Sequence, residues 1–214
     1  MLDDTGLIVT CNHCIENALS ADVVFANGRR KPVLGTAKIA RECDLAILVI
    51  EPSDSLVPLP LANKLPKKGE PIVALGSPAG LSFSQCEGSI SGLRTVGELN
   101  KLRGDIRAAR SPSLSPKTSL VQINAPTMPG NSGGPVVDLS GNVIGICSFG
   151  LIWHSQMYNF CISASEIRRV VTDLKIKVSP LWEPGYDPDT RTAIEELGRR
   201  ANEPTTGVTK PFPN

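Results

Sequence analysis

The sequence predicts an all-β protein, built as a sandwich or a barrel, with one helix packed on it near the C-terminal end. Short segments rich in β-branched residues alternate with turn signals such as Asn27-Gly28 and Ser140-Gly141-Asn142. Many short strands at modest spacing are typical of these two architectures. With 214 residues, 41% of them hydrophobic, the chain can bury a sizeable core.

The predicted strands are short apolar runs bounded by glycine, proline or asparagine. They are residues 6–10, 21–25, 31–40, 45–50, 71–75, 84–90, 119–123, 133–137, 143–149 and 157–162. A helix follows the last strand, because Ser163 and Glu166 have the spacing of a capping box, in which each side chain bonds to the other residue's backbone amide. The next apolar residues share one helical face: Ile167, Val170, Val171 and Leu174.

The last part of the chain, residues 179–214, is polar and interrupted by several prolines. This composition predicts a linker or a docking tail. One short helix is predicted inside it, with Asp187 as N-cap, Pro188 in the first turn and an end near Ala201.

Composition and charge exclude some classes of function. Lys and Arg number 22 against 21 Asp and Glu, and this balance argues against a nucleic-acid binder. No run of about 18 apolar residues exists, so no membrane-spanning helix is expected. The first residues lack the basic start of a secretory signal. The six cysteines lie at positions 11, 14, 43, 86, 147 and 161. Buried free thiols are favoured over three disulfides for them, and this weakly favours a reducing, cytoplasmic compartment.

Glycines surround Ser132 in the segment from Pro129 to Pro135. Such a serine can sit on a tight turn with its hydroxyl exposed. The backbone amides of Gly130 and Ser132, on either side of Asn131, can then point at one spot and stabilise an oxyanion. A glycine-rich hairpin or a phosphate cradle is the alternative, although a P-loop would need Lys-Ser or Lys-Thr after the glycines and none is present.

A serine nucleophile needs a base and the base needs an orienting group. His13 ends an apolar run and is one of two histidines in the chain. Asp44 heads another apolar run, where a poorly hydrated carboxylate needs a partner such as an imidazole N–H. The competing interpretations are a structural histidine and a polar residue at the entry of a strand.

Three segments in the order His, Asp, Ser resemble those of trypsin-like serine peptidases, and most closely those of the HtrA/Deg-type branch. They are residues 5–15 around His13, residues 44–48, and residues 122–125 followed by 129–135. The similarity extends over about residues 5–176, and no segment resembles the PDZ module that many chains of this branch carry. It implies two Greek-key barrels of the six-stranded type, with the first truncated at its N-terminus, and a C-terminal helix. Residues 1–66 would form the first barrel with His13 and Asp44, residues 67–178 the second with Ser132, and residues 179–214 the tail.

The resemblance implies a serine endopeptidase that acts on a polypeptide substrate through an acyl-enzyme, without a cofactor or metal. The extended peptide would pair with Ser148, Phe149 and Gly150, and the Ser148 hydroxyl would support Asp44. Small or medium aliphatic P1 residues are expected, because trypsins carry Asp at the position of Pro126 and no acidic residue replaces it. Further pocket walls are expected from Asn159 and Phe160. The alternative is an inactive pseudoprotease that binds peptides or partners.

The sequence departs from the family pattern in its first barrel, because only twelve residues precede His13. A fragmentary chain is the favoured explanation; a partner or a second copy that completes the wall, and a degenerate barrel, are the others. Residues 97–118 carry a basic insertion, for which a solvated loop is favoured over a regulatory one.

Cys11 and Cys14 form a C-x-x-C motif around His13. Metal or redox chemistry is the weaker interpretation, because no second such pair exists and the motif is predicted to lie in a strand rather than at a helix N-terminus. Cys14 also follows His13 as a cysteine does in disulfide-bearing trypsin-like enzymes, and its partner would lie upstream, which would favour secretion.

Overall fold

The computed structural model describes residues 2, 5–52, 57–101, 107–109, 114–153, 155–172, 174, 178–179 and 181. The helix predicted between Asp187 and Ala201, and most of the tail, lie outside these residues. Among the helices of the described residues, none has the length and apolar character needed to span a bilayer.

The first sheet is an open, curled half-barrel. Its strands are β1 (Leu7–Cys11), β2 (Asp22–Val24), β3 (Arg30–Ala40) and β4 (Leu45–Ile50), which lie in the order β1-β4-β3-β2. All six residues of β4 are buried, since β4 is a central strand between β1 and β3. This confirms the prediction of an incomplete first barrel.

The second sheet closes into a six-stranded antiparallel barrel. Its strands are β5 (Pro71–Gly76), β6 (Ser84–Thr95), β8 (Ser119–Ile123), β9 (Pro135–Asp138), β10 (Val143–Trp153) and β11 (Gln156–Ser163). Closure comes from pairing of β10 with both β9 and β11. One additional strand, β7 (Arg107–Ala109), pairs with the far end of β10. The predicted all-β fold with a second barrel is therefore confirmed.

In the part of the chain that the structure describes, two α-helices accompany the sheets: α1 (Val96–Lys101), which was not predicted, and α2 (Ala164–Thr172), which was. The capping box predicted for α2 is wrong. The Ser163 hydroxyl accepts from the Ser165 amide at 3.2 Å, but the Glu166 carboxylate accepts from the Ser119 amide at 2.9 Å. Glu166 is buried against β8, so it ties the helix to the barrel instead of capping it.

One apolar core cluster extends across both sheets. It joins residues of β1 and β4, including Leu45 and Ile47, to residues of β10 such as Ile146 and Phe149. The Cys11 thiol, at the end of β1, donates to the Cys147 carbonyl at 3.1 Å. The shared core therefore holds the end of β1 against β10, and this places the histidine segment beside the serine segment.

Candidate active site

His13 lies in a single 3₁₀ turn, Asn12–Cys14, directly after β1. Its backbone amide donates to Asp44 Oδ1 at 3.0 Å, and its ring Nδ1 lies 2.8 Å from Asp44 Oδ2. The Asn12 amide also donates to the Asp44 carbonyl at 3.0 Å. Three contacts thus orient the imidazole on Asp44, and Nδ1 carries the proton that is shared with the carboxylate.

Asp44 ends a second 3₁₀ turn, Arg41–Cys43, in the left-handed conformation with a φ of 55°. This conformation turns its side chain away from β4 and toward His13. The carboxylate is buried and accepts a hydrogen bond of 2.6 Å from the Ser148 hydroxyl. Burial alone would raise the pKa of Asp44, but the hydrogen bonds from His13 and Ser148 outweigh it and hold that pKa below 3.8.

Ser132 lies on the turn that leads into β9, and glycines on both sides allow the turn to pack closely. Gly130 has a φ of 104°, and a Cβ there would overlap the Ser77 carbonyl. Gly133 has a φ of 82°, and a Cβ there would overlap the Thr10 hydroxyl on β1. These two positions require glycine because the serine turn presses against both sheets.

The Ser132 hydroxyl donates to the Ser148 carbonyl at 3.2 Å. Among the described residues, it makes no hydrogen bond to the His13 ring. Ser148 therefore contacts two of the three predicted catalytic groups, since its hydroxyl serves Asp44 and its carbonyl serves Ser132. A rotation of the Ser132 side chain is needed to direct its hydroxyl toward His13.

The amides of the predicted oxyanion hole differ in their bonding. The Asn131 amide donates to the Met128 carbonyl at 3.0 Å. Within the part of the chain that the structure describes, the amides of Gly130 and Ser132 donate to no protein acceptor. Both residues line the same cavity as His13, so these two amides are the ones left available for an oxyanion.

The hydrogen bond to Asp44 is the main cause that raises the pKa of His13 from 6.5 to about 10. Cys14 contributes to the rise, and burial partly opposes it. A ring with this pKa is protonated at neutral pH, and a protonated imidazole cannot accept the serine proton. The resting arrangement therefore favours the imidazolium form of the base.

A cavity of about 470 Å³ opens between the two sheets beside Ser132. Of the predicted substrate-binding residues, Ser148, Phe149, Gly150 and Asn159 line it. Phe160 does not, because it is 4% exposed and stacks behind Phe149 with the ring centroids 5.4 Å apart. Pro126 is an exposed residue outside the lining. Six further residues that were not predicted as part of the site also line the cavity: Cys14, Thr127, Met128, Pro129, Cys147 and Met157. No motif in the sequence marks Thr127, Met128 or Met157.

The predicted peptide-pairing segment of β10 is partly occupied by β7. Gly150 pairs with Ala109 in antiparallel register, and the next two residues of β10 pair with Ala108 and Arg107. A peptide that extended along Ser148 to Gly150 would meet this strand. Residues 107–109 of the basic insertion thus form a strand at this edge of β10.

All six cysteines are free thiols in the structure. Cys11, His13 and Asp44 place potential metal-ligand atoms within 4.8 Å of one another. His13 and Asp44 already bond to each other, and the carboxylate is also bonded to Ser148. The hydrogen bond between His13 and Asp44 therefore already explains why two of these three groups lie close together.

Comparison with known proteins identifies the family of the chain. Residues 1–146 match the profile described as a trypsin-like peptidase domain. The serine protease Do-like HtrB of Bacillus subtilis is 30% identical over 80% of the chain and 36% of its own length, and human serine protease HTRA4 is 32% identical over 81% and 33%. The crystal structure of the serine endoprotease from Yersinia pestis superposes with a TM-score of 0.64 at 27% identity, covering 81% of this chain and 55% of that one. The chain spans about a third of the length of these curated relatives.

Proposed function

Because the chain belongs to the trypsin-like peptidase family, with HtrA-type serine proteases among its relatives, we propose that it is a serine endopeptidase with His13, Asp44 and Ser132 as catalytic triad. The observation that carries the proposal is a series of hydrogen bonds from His13 through Asp44 and Ser148 to Ser132, which joins the two sheets at one cavity.

In the proposed reaction, the neutral ring of His13 removes the Ser132 proton as the hydroxyl attacks the peptide carbonyl. The amides of Gly130 and Ser132 hold the oxyanion that forms. His13 then gives its proton to the leaving amine, an acyl-enzyme remains on Ser132, and water releases it by the same steps in reverse. Asp44 keeps the ring oriented and stabilises its positive charge while Ser148 fixes the carboxylate.

The test of the proposal is labelling by a fluorophosphonate probe, together with hydrolysis of casein. We expect stoichiometric labelling at Ser132 in the folded chain, mapped by mass spectrometry, and none in the chain unfolded with urea. Folded protein that takes up no probe and cleaves no casein over the alkaline range would refute the proposal.

A second candidate function is favoured by two observations. The Ser132 hydroxyl points at the Ser148 carbonyl, and the raised pKa of His13 keeps the base protonated at neutral pH. A pseudoprotease that binds extended peptides on β10 would show both features. Peptide binding without fluorophosphonate labelling, measured on the same preparation, would favour this second function.

The lining of the cavity leads to a prediction about the P1 residue. The side chains of Met128, Phe149 and Met157 make the wall largely apolar, and no Asp or Glu is among the described lining residues. We expect peptide anilides that differ only at P1 to be cut fastest with Val, Ala or Leu. Arg at P1 should lower kcat/KM by more than about a hundredfold, because an unpaired charge would be buried. Faster cleavage after Arg than after Leu would contradict the apolar pocket.

The pairing of β7 with β10 predicts that this strand competes with substrate. The double substitution Ala108→Gly and Ala109→Gly should weaken β7 by about 1–2 kcal/mol, since each glycine loses more conformational entropy on ordering. We expect KM to fall several-fold for a peptide long enough to reach Gly150. A small ester that carries only a P1 group is the matched control and should show no change. An equal change for both substrates would indicate that β7 does not compete at the edge.

A further inference from the structure

Two thiols that the proposed mechanism does not use flank the catalytic base. Cys11 ends β1 in the core, and Cys14 ends the 3₁₀ turn that carries His13. Cys11 is fully buried, with its sulfur 3.1 Å from the Cys147 carbonyl. Cys14 is exposed and lines the cavity, with its sulfur 3.4 Å from the Ser132 carbonyl. One thiol is therefore accessible from the cavity while the other is accessible mainly to its neighbour.

The two thiols also lie at the two ends of one tight 3₁₀ turn, Asn12–Cys14, with Cys11 as the residue that precedes it. Interaction with the Cys11 side chain is the main cause that lowers the pKa of Cys14 from 9.0 to about 5, with further lowering by His13 and an opposing effect of burial. The same interaction is the main cause that raises the pKa of Cys11. The lowered pKa favours the thiolate of Cys14, which is the form of cysteine that reacts with oxidants. A low-pKa, accessible cysteine beside a second thiol is the arrangement typical of redox-sensitive sites.

We propose that Cys14 and Cys11 form a peroxide-sensitive thiol pair whose disulfide disables the neighbouring catalytic base, His13. The Cys14 thiolate attacks one oxygen of hydrogen peroxide, the O–O bond breaks, and hydroxide leaves behind a sulfenic acid. The Cys11 sulfur gives up its proton and attacks the Cys14 sulfur, the S–O bond breaks, and a second hydroxide leaves. Starting from the Cys14 thiolate and the Cys11 thiol, the two sulfurs lose two electrons and one proton, and the peroxide becomes one water and one hydroxide. The hydroxide takes up the proton that Cys14 released when its thiolate formed, which gives a second water.

Formation of this disulfide must disturb His13. An S–S bond is about 2.05 Å long, much shorter than a contact between two thiols, so the Cys14 sulfur has to move toward Cys11 and away from Ser132. His13 lies within the short loop that the bond closes, and both its amide and its ring depend on Asp44. A misplacement of about 1 Å at such a group can cost about a hundredfold in rate. The effect on activity rests on the proposed function, whereas formation of the disulfide does not.

Tryptic digestion isolates the two cysteines in one peptide. The first Lys or Arg of the chain is Arg29, so peptide 1–29 contains Cys11 and Cys14 and no other cysteine. The purified chain is treated with hydrogen peroxide, blocked with iodoacetamide and digested. We expect peptide 1–29 to be two hydrogens lighter and unalkylated, and dithiothreitol should reverse both changes. Peptide 1–29 that still takes up two alkyl groups, at peroxide concentrations that oxidise a free dithiol, would overturn the proposal.

Activity and matched variants test the effect on His13. Peroxide should lower the peptidase rate of the wild type about a hundredfold, with recovery in dithiothreitol. The variant Cys14→Ser should keep its own rate in peroxide, whereas the control Cys86→Ser, on β6, should be inactivated like the wild type. An oxidised chain with a full rate would overturn the switch even if the disulfide forms.

A readout independent of catalysis separates this proposal from the peptidase proposal. The ring proton of His13, assigned with a His154→Gln variant, is followed by NMR. Oxidation should lower the pKa of His13, because the disulfide removes the negative charge of Cys14 from beside the ring. If the reduced chain cleaves no substrate, and oxidation still lowers the pKa of His13, the proposal of the thiol pair stands and the peptidase proposal fails. An unchanged titration in a chain with the mapped disulfide would overturn the coupling to His13.

Discussion

Replacing Ser132 with alanine is expected to lower kcat by about a millionfold, and replacing His13 with alanine by a similar factor. In the proposed mechanism, loss of Ser132 removes the nucleophile, and loss of His13 removes the group that takes its proton. The two groups act as one unit, so the double variant should be no slower than either single variant. The measurement is kcat for an anilide with Val at P1, at a pH high enough to deprotonate His13.

The control for this experiment is Ser140→Ala. Ser140 is an exposed serine on the turn between β9 and β10, and it lies outside the cavity lining. The Ser140→Ala variant should therefore leave kcat unchanged. The residual rate of the triad variants should remain above that of water, because the amides of Gly130 and Ser132 still stabilise the oxyanion. If the effects of Ser132→Ala and His13→Ala multiplied in the double variant, His13 and Ser132 would be acting separately and the triad would be contradicted.

The proposed triad of His13, Asp44 and Ser132 could be selected from the sequence because its chemistry restricts the residue types. A nucleophile between glycines, a histidine after one apolar strand and an aspartate before another are each ambiguous, but their order and local patterns limit the alternatives. The role of Ser148 was accessible in the same way. The structure places its hydroxyl on Asp44 as expected, and also places its carbonyl on Ser132, which no pattern in the sequence indicates.

The capping box predicted for α2 is wrong because a backbone amide from a distant strand competes for the same carboxylate. Both α-helices of the described residues begin at a segment with the spacing of a capping box, Ser163 to Glu166 for α2 and Thr95 to Glu98 for α1. In the second, the Glu98 carboxylate accepts from the Thr95 amide at 2.8 Å and so caps the start of α1. In the first, the Ser119 amide of β8 lies next to Glu166 and takes its carboxylate. Spacing alone cannot decide between a local and a distant donor, because the distant donor depends on the packing of α2 against the barrel.

The side chains that line the cavity are harder to predict from sequence than the order His, Asp, Ser, because side-chain direction depends on details of strand pairing. The register of β10 against β11 shifts between Cys147 and Phe149. On β11, opposite the residues of β10 that follow this shift, Asn159 faces the cavity while Phe160 packs into the core behind Phe149. An irregularity of one residue reverses which side chains face inward, and a single sequence gives no sign of its position. The pairing of β7 is equally hard to predict, because its partner residues on β10 lie far away in sequence.

Substitution of Asp44 by asparagine is expected to lower kcat about ten-thousandfold and to move the pH profile in a defined direction. An amide presents a donor where the His13 Nδ1–H needs an acceptor, so the ring loses its orientation and its productive tautomer. The hydrogen bond to Asp44 is the main cause of the raised pKa of His13. Activity requires the neutral ring, so the acid limb of the wild-type profile should rise toward a pH of about 10, and in the variant it should lie at lower pH.

Ser148→Ala separates the orienting role of Asp44 from the packing around it. This variant removes one bond to a buried carboxylate, at 2.6 Å, and leaves the charge in place, so we expect kcat to fall about ten- to a hundredfold with KM little changed. Circular dichroism should show the same folded signal for both variants. If Asp44→Asn and Ser148→Ala lowered kcat equally, with no shift of the acid limb in either, Asp44 would be acting through local structure. A larger loss for Asp44→Asn with a downward shift of the limb requires that its charge act directly on His13.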